Sequence, residues 1–227
     1  MAPDVMKYRA VGFDVDGTLV KNIGYCWEVF HERFGVADHI RRSLRRRYVE
    51  GQITYKQWGS KEIAIWRELG VRRADFVKVI NSLRLSDGVV ETLQTLRRTG
   101  HYLFILSGTV RIILEQLLPD YASLFDMVAV SDILFDAEGR PVDFEPGHPL
   151  RNIRENKLLE LESLCEALKI ELSQVVFVGD NDNDAEILRA VGLGIAFCPQ
   201  SSKVRAAANA VVEVPDLRKV LPHILAT

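Results

Sequence analysis

The feature that most constrains this chain is a short apolar strand pattern that runs straight into carboxylates. YRAVGFD spans residues 8–14, and Val15-Asp16-Gly17-Thr18 follows at once. An apolar run of this length reads as a strand of an interior sheet, and polarity at its end is where α/β proteins put chemistry. The pattern returns further along. HYLFIL leads into Ser107-Gly108-Thr109, QVVFVG leads into Asp180, and GLGIAF and VVEV supply further strands. Helical periodicity covers 88–99, 110–118, about 152–168 and 183–190 between them, and MVAVSDILFDAEGRPVDF reads as strands about an Ala-Glu-Gly-Arg turn. Strands alternating with helices predict an α/β fold with a mostly parallel sheet covered on both faces.

Residues 22–83 interrupt that alternation with helices alone. Trp27, Phe30, His31 and Phe34 recur at helical spacing and Gly35 stops the run. Asp38 is placed to cap a second helix, which carries Arg41, Arg42, Arg45, Arg46 and Arg47. Thr54 with Gln57 forms a capping-box pattern for a third helix, closed by Gly70, and a fourth lies near Ala74–Leu83. The expected organisation is a catalytic core made of residues 1–21 and 84–227, with 22–83 inserted as a small helical cap.

Composition excludes several classes. With 227 residues there is enough chain for a core plus a small insert, and a formal charge of −2 points to neither nucleic acid nor a membrane surface. No run approaches the roughly 20 apolar residues of a membrane span, and MAPDVMKYRA is too polar for a signal core. Cys26, Cys165 and Cys198 are odd in number and far apart, which suits a reduced, cytoplasmic setting better than a disulfide framework.

The polar clusters share one logic. In a parallel sheet the carboxyl ends of the strands lie along one edge, so Asp14-Val15-Asp16, Ser107-Gly108-Thr109 and Gly179-Asp180 through Asn183-Asp184 can converge. Lys157, near the start of a helix, is a fourth candidate. Carboxylates without His or Cys suit a hard ion such as Mg2+, and lysine, hydroxyls and loop amides suit a phosphate. Together they point to phosphoryl chemistry, in which positioning and charge neutralisation do most of the catalysis.

These residues resemble the motifs of the haloacid dehalogenase superfamily. FDVDGTLV is similar to its first motif, Ser107-Gly108 to its second, Lys157 to its third and Gly179-Asp180…Asn183-Asp184 to its fourth. The nearest likeness is to phosphoserine phosphatases, in the helical insert, the hairpin after the second motif and the GLGIAFCPQSSKVRAAANAVVE tail. The resemblance implies a Rossmann-like core and a Mg2+-dependent phosphomonoesterase acting on a small phosphorylated metabolite. It makes Asp14 the nucleophile and Asp16 the general acid and base. Thr18, Ser107, Gly108, Lys157 and Asn183 would hold the phosphate. Asp14, the backbone carbonyl of Asp16, Asp180 and Asp184 would surround the metal. A phosphomutase would share the Asp pair and the aspartyl phosphate, and a non-catalytic phosphate sensor would share the acidic residues and lysine. The helical insert and tail favour hydrolysis.

The likeness breaks down in the helical insert. Phosphoserine phosphatases read the substrate's amine with a glutamate and its carboxylate with an arginine; Ile23 and Glu62 align with those positions, with Tyr55 at a nearby aromatic one. At ~100° per residue, Tyr55, Trp58, Glu62 and Trp66 share one helix face. Glu62 therefore has two readings: a substrate group that would disfavour phosphoserine, or a cap-rim residue that reaches water. The arginine run reads as a solvated helix face.

Overall fold

The four residues Ala10–Phe13 form the first strand, β1, at the centre of a seven-stranded sheet. The computed structural model describes residues 6–151 and 154–226. The elements follow in chain order: β2 (Val20–Lys21), α1 (Cys26–Phe34), α2 (Asp38–Val49), α3 (Tyr55–Glu68), α4 (Arg73–Ile80), β3 (Arg84–Leu85), α5 (Val89–Arg98), β4 (Tyr102–Val110), α6 (Arg111–Leu117), α7 (Tyr121–Leu124), β5 (Met127–Phe135) and β6 (Pro141–Glu145). The chain continues through β7 (Leu150–Arg151), β8 (Arg154–Glu155), α8 (Lys157–Leu168), β9 (Val175–Gly179), α9 (Ala185–Ala190), β10 (Leu193–Phe197), α10 (Ser202–Ala207), β11 (Ala210–Val212) and α11 (Leu221–Leu225).

The sheet order is β11-β10-β9-β1-β4-β5-β6, parallel throughout except for β6, which returns antiparallel along β5. This is the mostly parallel α/β sheet that the strand and helix alternation predicts, and the Rossmann-like core that the resemblance implies. Val11, Phe13, Ile105, Val176 and Val178 face one apolar core, and Ala10, Phe104, Leu106, Val175 and Phe177 face the other. Burial on both faces is why these strands read as continuous apolar runs rather than alternating ones. Gly12 sits where a Cβ would meet the rings of Phe104 and Phe177. In register, Phe13 stands between Ile105 and Val178, so the segments after β1, β4 and β9 come together at one edge.

The helices α1–α4 lie between the short antiparallel pair β2 and β3, which carries the chain out of the sheet and back. Their interior is aromatic: Trp27 stacks on Trp66 at 5.5 Å, and Phe30 and Phe34 meet Phe76 at 5.0 and 4.9 Å. Gly59 lets α3 lie directly on the ring of Phe144 in β6. The Thr54–Gln57 capping box forms, with both reciprocal bonds, 3.1 and 2.9 Å long, and Gly35 closes α1 at φ +72°. Among the described residues no helix is long and apolar enough to cross a membrane.

Three local expectations are corrected. β4 does not stop at Leu106 but runs through Ser107-Gly108-Thr109 to Val110, with an irregular register against β5 between Ser107 and Val110. A bulge turns the motif without ending the strand. The helix expected from about 152 starts at Lys157, where Asn156 Oδ1 accepts the Leu159 amide at 2.9 Å; β7 and β8 occupy the chain before it, and residues 152 and 153 lie outside the described residues. Asp38 is the first residue of α2 rather than its cap, its carboxylate taking Arg41 and Arg42 instead of a backbone amide.

Candidate active site

The end of β1 delivers Asp14 and Asp16 into the floor of a cleft of about 1330 Å³ that lies between the sheet edge and the helices α1–α3. The turn after them depends on Gly17, at φ +76°. Asp14 is 4% exposed, and its amide donates to the Val178 carbonyl at 2.9 Å, which ties it to β9. Lys157 Nζ stands 2.9 Å from Asp14 Oδ1 and donates to Asp184 Oδ1 at 2.7 Å. Burial alone would lower the Lys157 ammonium, but the Asp14 and Asp184 carboxylates outweigh it and hold the group above the ordinary lysine range. The lysine is therefore a fixed positive charge at the centre of the site.

Asp16 has a different environment two residues on. Its Oδ2 accepts the Cys26 amide at 2.7 Å and its Oδ1 accepts the Thr109 hydroxyl at 2.8 Å. Burial, then the nearby Asp14 charge, raise this carboxyl to about 6 against the two hydrogen bonds. Adjacent carboxylates with separate partners and separate proton affinities are the arrangement that acid–base chemistry requires.

Behind the floor, carboxylate oxygens of Asp14, Asp180 and Asp184 lie within 4.8 Å of one another. Both oxygens of Asp180 are buried and have no hydrogen-bond partner among the described residues. Asp184 Oδ2 accepts the amides of Asp180 and Asn181 at 3.1 and 3.2 Å. Burial, and then the Asp14 charge, raise the Asp180 carboxyl far above the ordinary range. Three oxygen donors, one of them an orphaned buried carboxylate, fit a hard divalent cation. The carboxylate of Asp16 is not part of this cluster.

The other expected residues divide. Ser107, Gly108 and Asn183 line the cleft with Lys157. Ser107 Oγ accepts the Thr109 amide at 3.2 Å, which braces the bulge. Thr18 does not reach the cleft wall: it is fully buried, its hydroxyl has no partner among the described residues, and its carbonyl accepts the Ser86 hydroxyl at 2.6 Å. Tyr55 and Trp58 line the cleft, and the Tyr55 hydroxyl donates to the Gly108 carbonyl at 2.9 Å. Ile23 is buried in the apolar core and is not on the cleft wall.

Glu62 is not at a rim. It is 0% exposed, accepts the Trp58 indole N–H at 2.5 Å on Oε1, and has His31 Nε2 2.7 Å from Oε2. The aromatic stripe that includes Glu62 on α3 packs against α1, so the face the periodicity singled out points inward, at His31, rather than at water. The arginine run does not merely coat a solvated face, since Arg41, Arg42 and Arg45 line the cleft.

Two cleft residues escaped the sequence reading. Thr109, which bonds Asp16, has no signal of its own beyond the Ser-Gly-Thr run. Glu155, beside Gly108, had no sequence signal, because its position depends on the β7–β8 hairpin.

A family model described as haloacid dehalogenase-like hydrolase matches residues 8–192. The chain is 27% identical over 222 residues to the phosphoserine phosphatase of Methanocaldococcus jannaschii, covering 96% of this chain and 98% of that one. It is 30% identical over 218 residues to the phosphoserine phosphatase of Streptomyces coelicolor, covering 94% of this chain but only 49% of that longer relative. Its fold is similar to a solved phospho-aspartyl intermediate analogue of phosphoserine phosphatase, at TM-score 0.71 and 24% identity, over 96% of this chain and 99% of the other. The chain belongs to the haloacid dehalogenase-like hydrolases. Within them it is phosphoserine-phosphatase-like, a hydrolase of phosphoric monoesters.

Proposed function

We propose that this chain hydrolyses the phosphomonoester of a small metabolite in two steps through an aspartyl phosphate on Asp14, with Mg2+ bound by Asp14, Asp180, Asp184 and the backbone carbonyl of Asp16. The observation that carries this reading is the contrast between the two acids: Asp14 is ion-paired to Lys157, while Asp16 holds its proton up to about 6. In the first step an Asp14 oxygen attacks phosphorus in line, the ester P–O bond breaks, and Asp16 gives its proton to the leaving oxygen. In the second step Asp16 takes a proton from water, the water oxygen attacks phosphorus, and the bond to Asp14 breaks, releasing phosphate and restoring the carboxylate. Bound Mg2+ would supply charge neutralisation for the phosphate oxygens.

Lys157, Ser107, the Gly108 amide and Asn183 hold the phosphate in this scheme, and Thr18 supports the loop from beneath. Residues 22–83 act as a cap over a core formed by 1–21 and 84–227, in a cytoplasmic setting that keeps the free thiols of Cys26, Cys165 and Cys198 reduced. Support for a covalent route also comes from the fold likeness to a phospho-aspartyl intermediate analogue. Ile23 and Glu62, which align with the amine- and carboxylate-reading residues of phosphoserine phosphatases, are both off the cleft wall, so neither position supplies the contacts by which those enzymes read phosphoserine. The test is acid quenching during turnover followed by peptide mass mapping. A phosphoryl adduct on the peptide that contains Asp14, absent from Asp14→Asn, is expected; turnover with no adduct under rapid quenching would sink the covalent route.

A further inference from the structure

Glu155 is a carboxylate on the cleft wall that this scheme leaves without a task. It ends β8 and sits beside Gly108, its Oε2 3.1 Å from where a Gly108 Cβ would stand. The side chain is 10% exposed, Oε1 is buried without a hydrogen-bond partner, and among the described residues no donor bonds either oxygen. His148 Nε2 is 3.8 Å from Oε1, but burial, and then Lys157, push that ring down to about 3, so it brings no charge at neutral pH. Lys157 attracts Glu155 from a distance, yet its ammonium is already held by Asp14 and Asp184. Burial raises the Glu155 carboxyl to about 8, so at neutral pH it is mostly protonated until a cation beside it draws it into the ionised form.

The wall around Glu155 is aromatic. Tyr25, Tyr48, Tyr55 and Trp58 all line the cleft, with Trp58 centred 4.9 Å from Tyr48 and 5.8 Å from Tyr25, and Tyr48 5.5 Å from Tyr55. Burial foremost, and the Glu155 charge among the further causes, hold the Tyr25 and Tyr55 phenols well above their ordinary range, so the carboxylate and the rings form one environment. Its position matches the departing alcohol. Tyr25 immediately precedes Cys26, whose amide binds Asp16, and the Tyr55 hydroxyl binds Gly108. The wall thus lies between the acid that protonates the leaving oxygen and the loop assigned to the phosphate.

On the phosphatase reading above, we infer that Glu155 and the rings of Tyr25 and Tyr48, backed by Tyr55 and Trp58, bind an ammonium group on the leaving alcohol, so that the substrates are phosphomonoesters of short amino alcohols. A cation satisfies both parts of the wall: the Glu155 carboxyl ionises against it, and the half-buried rings of Tyr25 and Tyr48 offer faces that attract positive charge, while the buried Tyr55 and Trp58 pack behind them. A polyol would hydrogen-bond Glu155 without drawing it into the ionised form, and a neutral hydrocarbon would cover only the rings. The short separation between Glu155 and Gly108 calls for a short linker between nitrogen and phosphate.

The test compares kcat/KM for phosphoethanolamine, for phosphocholine and for the neutral analogue of phosphocholine in which carbon replaces nitrogen, with wild type and Glu155→Gln. Wild type is expected to favour at least one ammonium ester over the neutral analogue by about tenfold or more, and the ratio should shrink toward one in Glu155→Gln. The two ammonium esters separate a primary from a quaternary group. Equal rates on charged and neutral esters in wild type would overturn the inference while leaving the phosphatase standing, and that comparison needs no variant to fold. A ratio that survives in folded Glu155→Gln would also overturn it. Failure of every ester, with Mg2+ present and p-nitrophenyl phosphate still hydrolysed, would overturn the inference alone; failure of p-nitrophenyl phosphate as well would remove the phosphatase reading with it.

Discussion

A Cβ on Gly17 would stand 2.5 Å from Cγ of Asp180 and closer still to its Oδ2, so the turn after β1 and the orphaned carboxylate after β9 occupy adjoining space that only a glycine leaves open. Gly17→Ala should therefore displace Asp180 as well as strain a backbone at φ +76°. The expected cost is about 1–3 kcal/mol in unfolding free energy, together with a loss of Mg2+-dependent activity much larger than the loss of stability explains. Thermal unfolding and a Mg2+ titration of activity measure the two parts. Chelation should abolish wild-type turnover, and Mg2+ should restore it. Wild-type activity that persists after exhaustive chelation would refute a cation site at Asp14, Asp180 and Asp184.

Asp14→Asn should retain the fold and lose turnover by roughly 10⁴-fold or more, the scale seen when a catalytic nucleophile is removed. Lys157 keeps its bond to Asp184 in this variant, so the core of the site remains paired. Circular dichroism and a phosphate-release assay suffice. Substantial hydrolysis by pure, folded Asp14→Asn would rule out covalent catalysis through this residue.

What was legible in the sequence was the part fixed by strand ends. Asp14, Asp16 and Asp180 follow strands whose apolar pattern is visible, Asp184 lies in the turn after β9 and Ser107 at the bulge of β4, and a parallel sheet brings such positions together. Lys157 was legible only as lying near the start of a helix expected from about 152, and neither the true first turn nor its N-cap Asn156 could be read, because the antiparallel pair β7–β8 before it has no apolar pattern of its own. Periodicity put Glu62 on the right face of α3 but could not say what that face meets. His31 lies on another helix, and only the packing of α1 against α3 converts an aromatic stripe with one acid into a buried acid–imidazole pair. Glu155 was illegible for the same reason: its meaning comes from Gly108 and Tyr55, which are distant in sequence.

Asp16→Asn separates chemistry from stability. An amide cannot protonate a leaving alkoxide, so hydrolysis of alkyl phosphates should fall steeply, while p-nitrophenyl phosphate, whose leaving group scarcely needs a proton, should fall much less. The folded carboxyl titrates at about 6, above its ordinary value, because of burial and then Asp14. A raised carboxyl stabilises the fold when protonated; that contribution is present below pH ~4 and is lost as pH rises through about 6. Asp16→Asn has no such loss, so it should unfold less readily than wild type by about 1–3 kcal/mol at pH 8, with the gain fading toward pH ~4. Denaturant melts at the two pH values measure it. A gain that grew on acidification would mean that the Asp16 carboxyl is not raised.

Glu62→Gln tests whether the buried acid of α3 supports the fold or selects the substrate. Glu62 Oε2 lies 2.7 Å from His31 Nε2 and Oε1 accepts the Trp58 indole N–H, with none of the acid exposed. Losing one member of a buried polar pair commonly costs about 1–3 kcal/mol, since the partner is left buried and unmatched. The variant should therefore melt earlier, and His31→Ala on top of it should add less than its own separate cost, because the two residues share one interaction. The order of preference between phosphoserine and phosphoethanolamine should not change. Two like charges about 4 Å apart repel by about 1 kcal/mol in water-like surroundings and about 4 kcal/mol near a protein surface, so a carboxylate facing substrate would discriminate strongly between these esters. Glu62 is outside the cleft lining, and Glu155 is the acid placed to exert that effect. If Glu62→Gln improves phosphoserine relative to phosphoethanolamine with no change in melting temperature, Glu62 acts on substrate and the structural assignment fails.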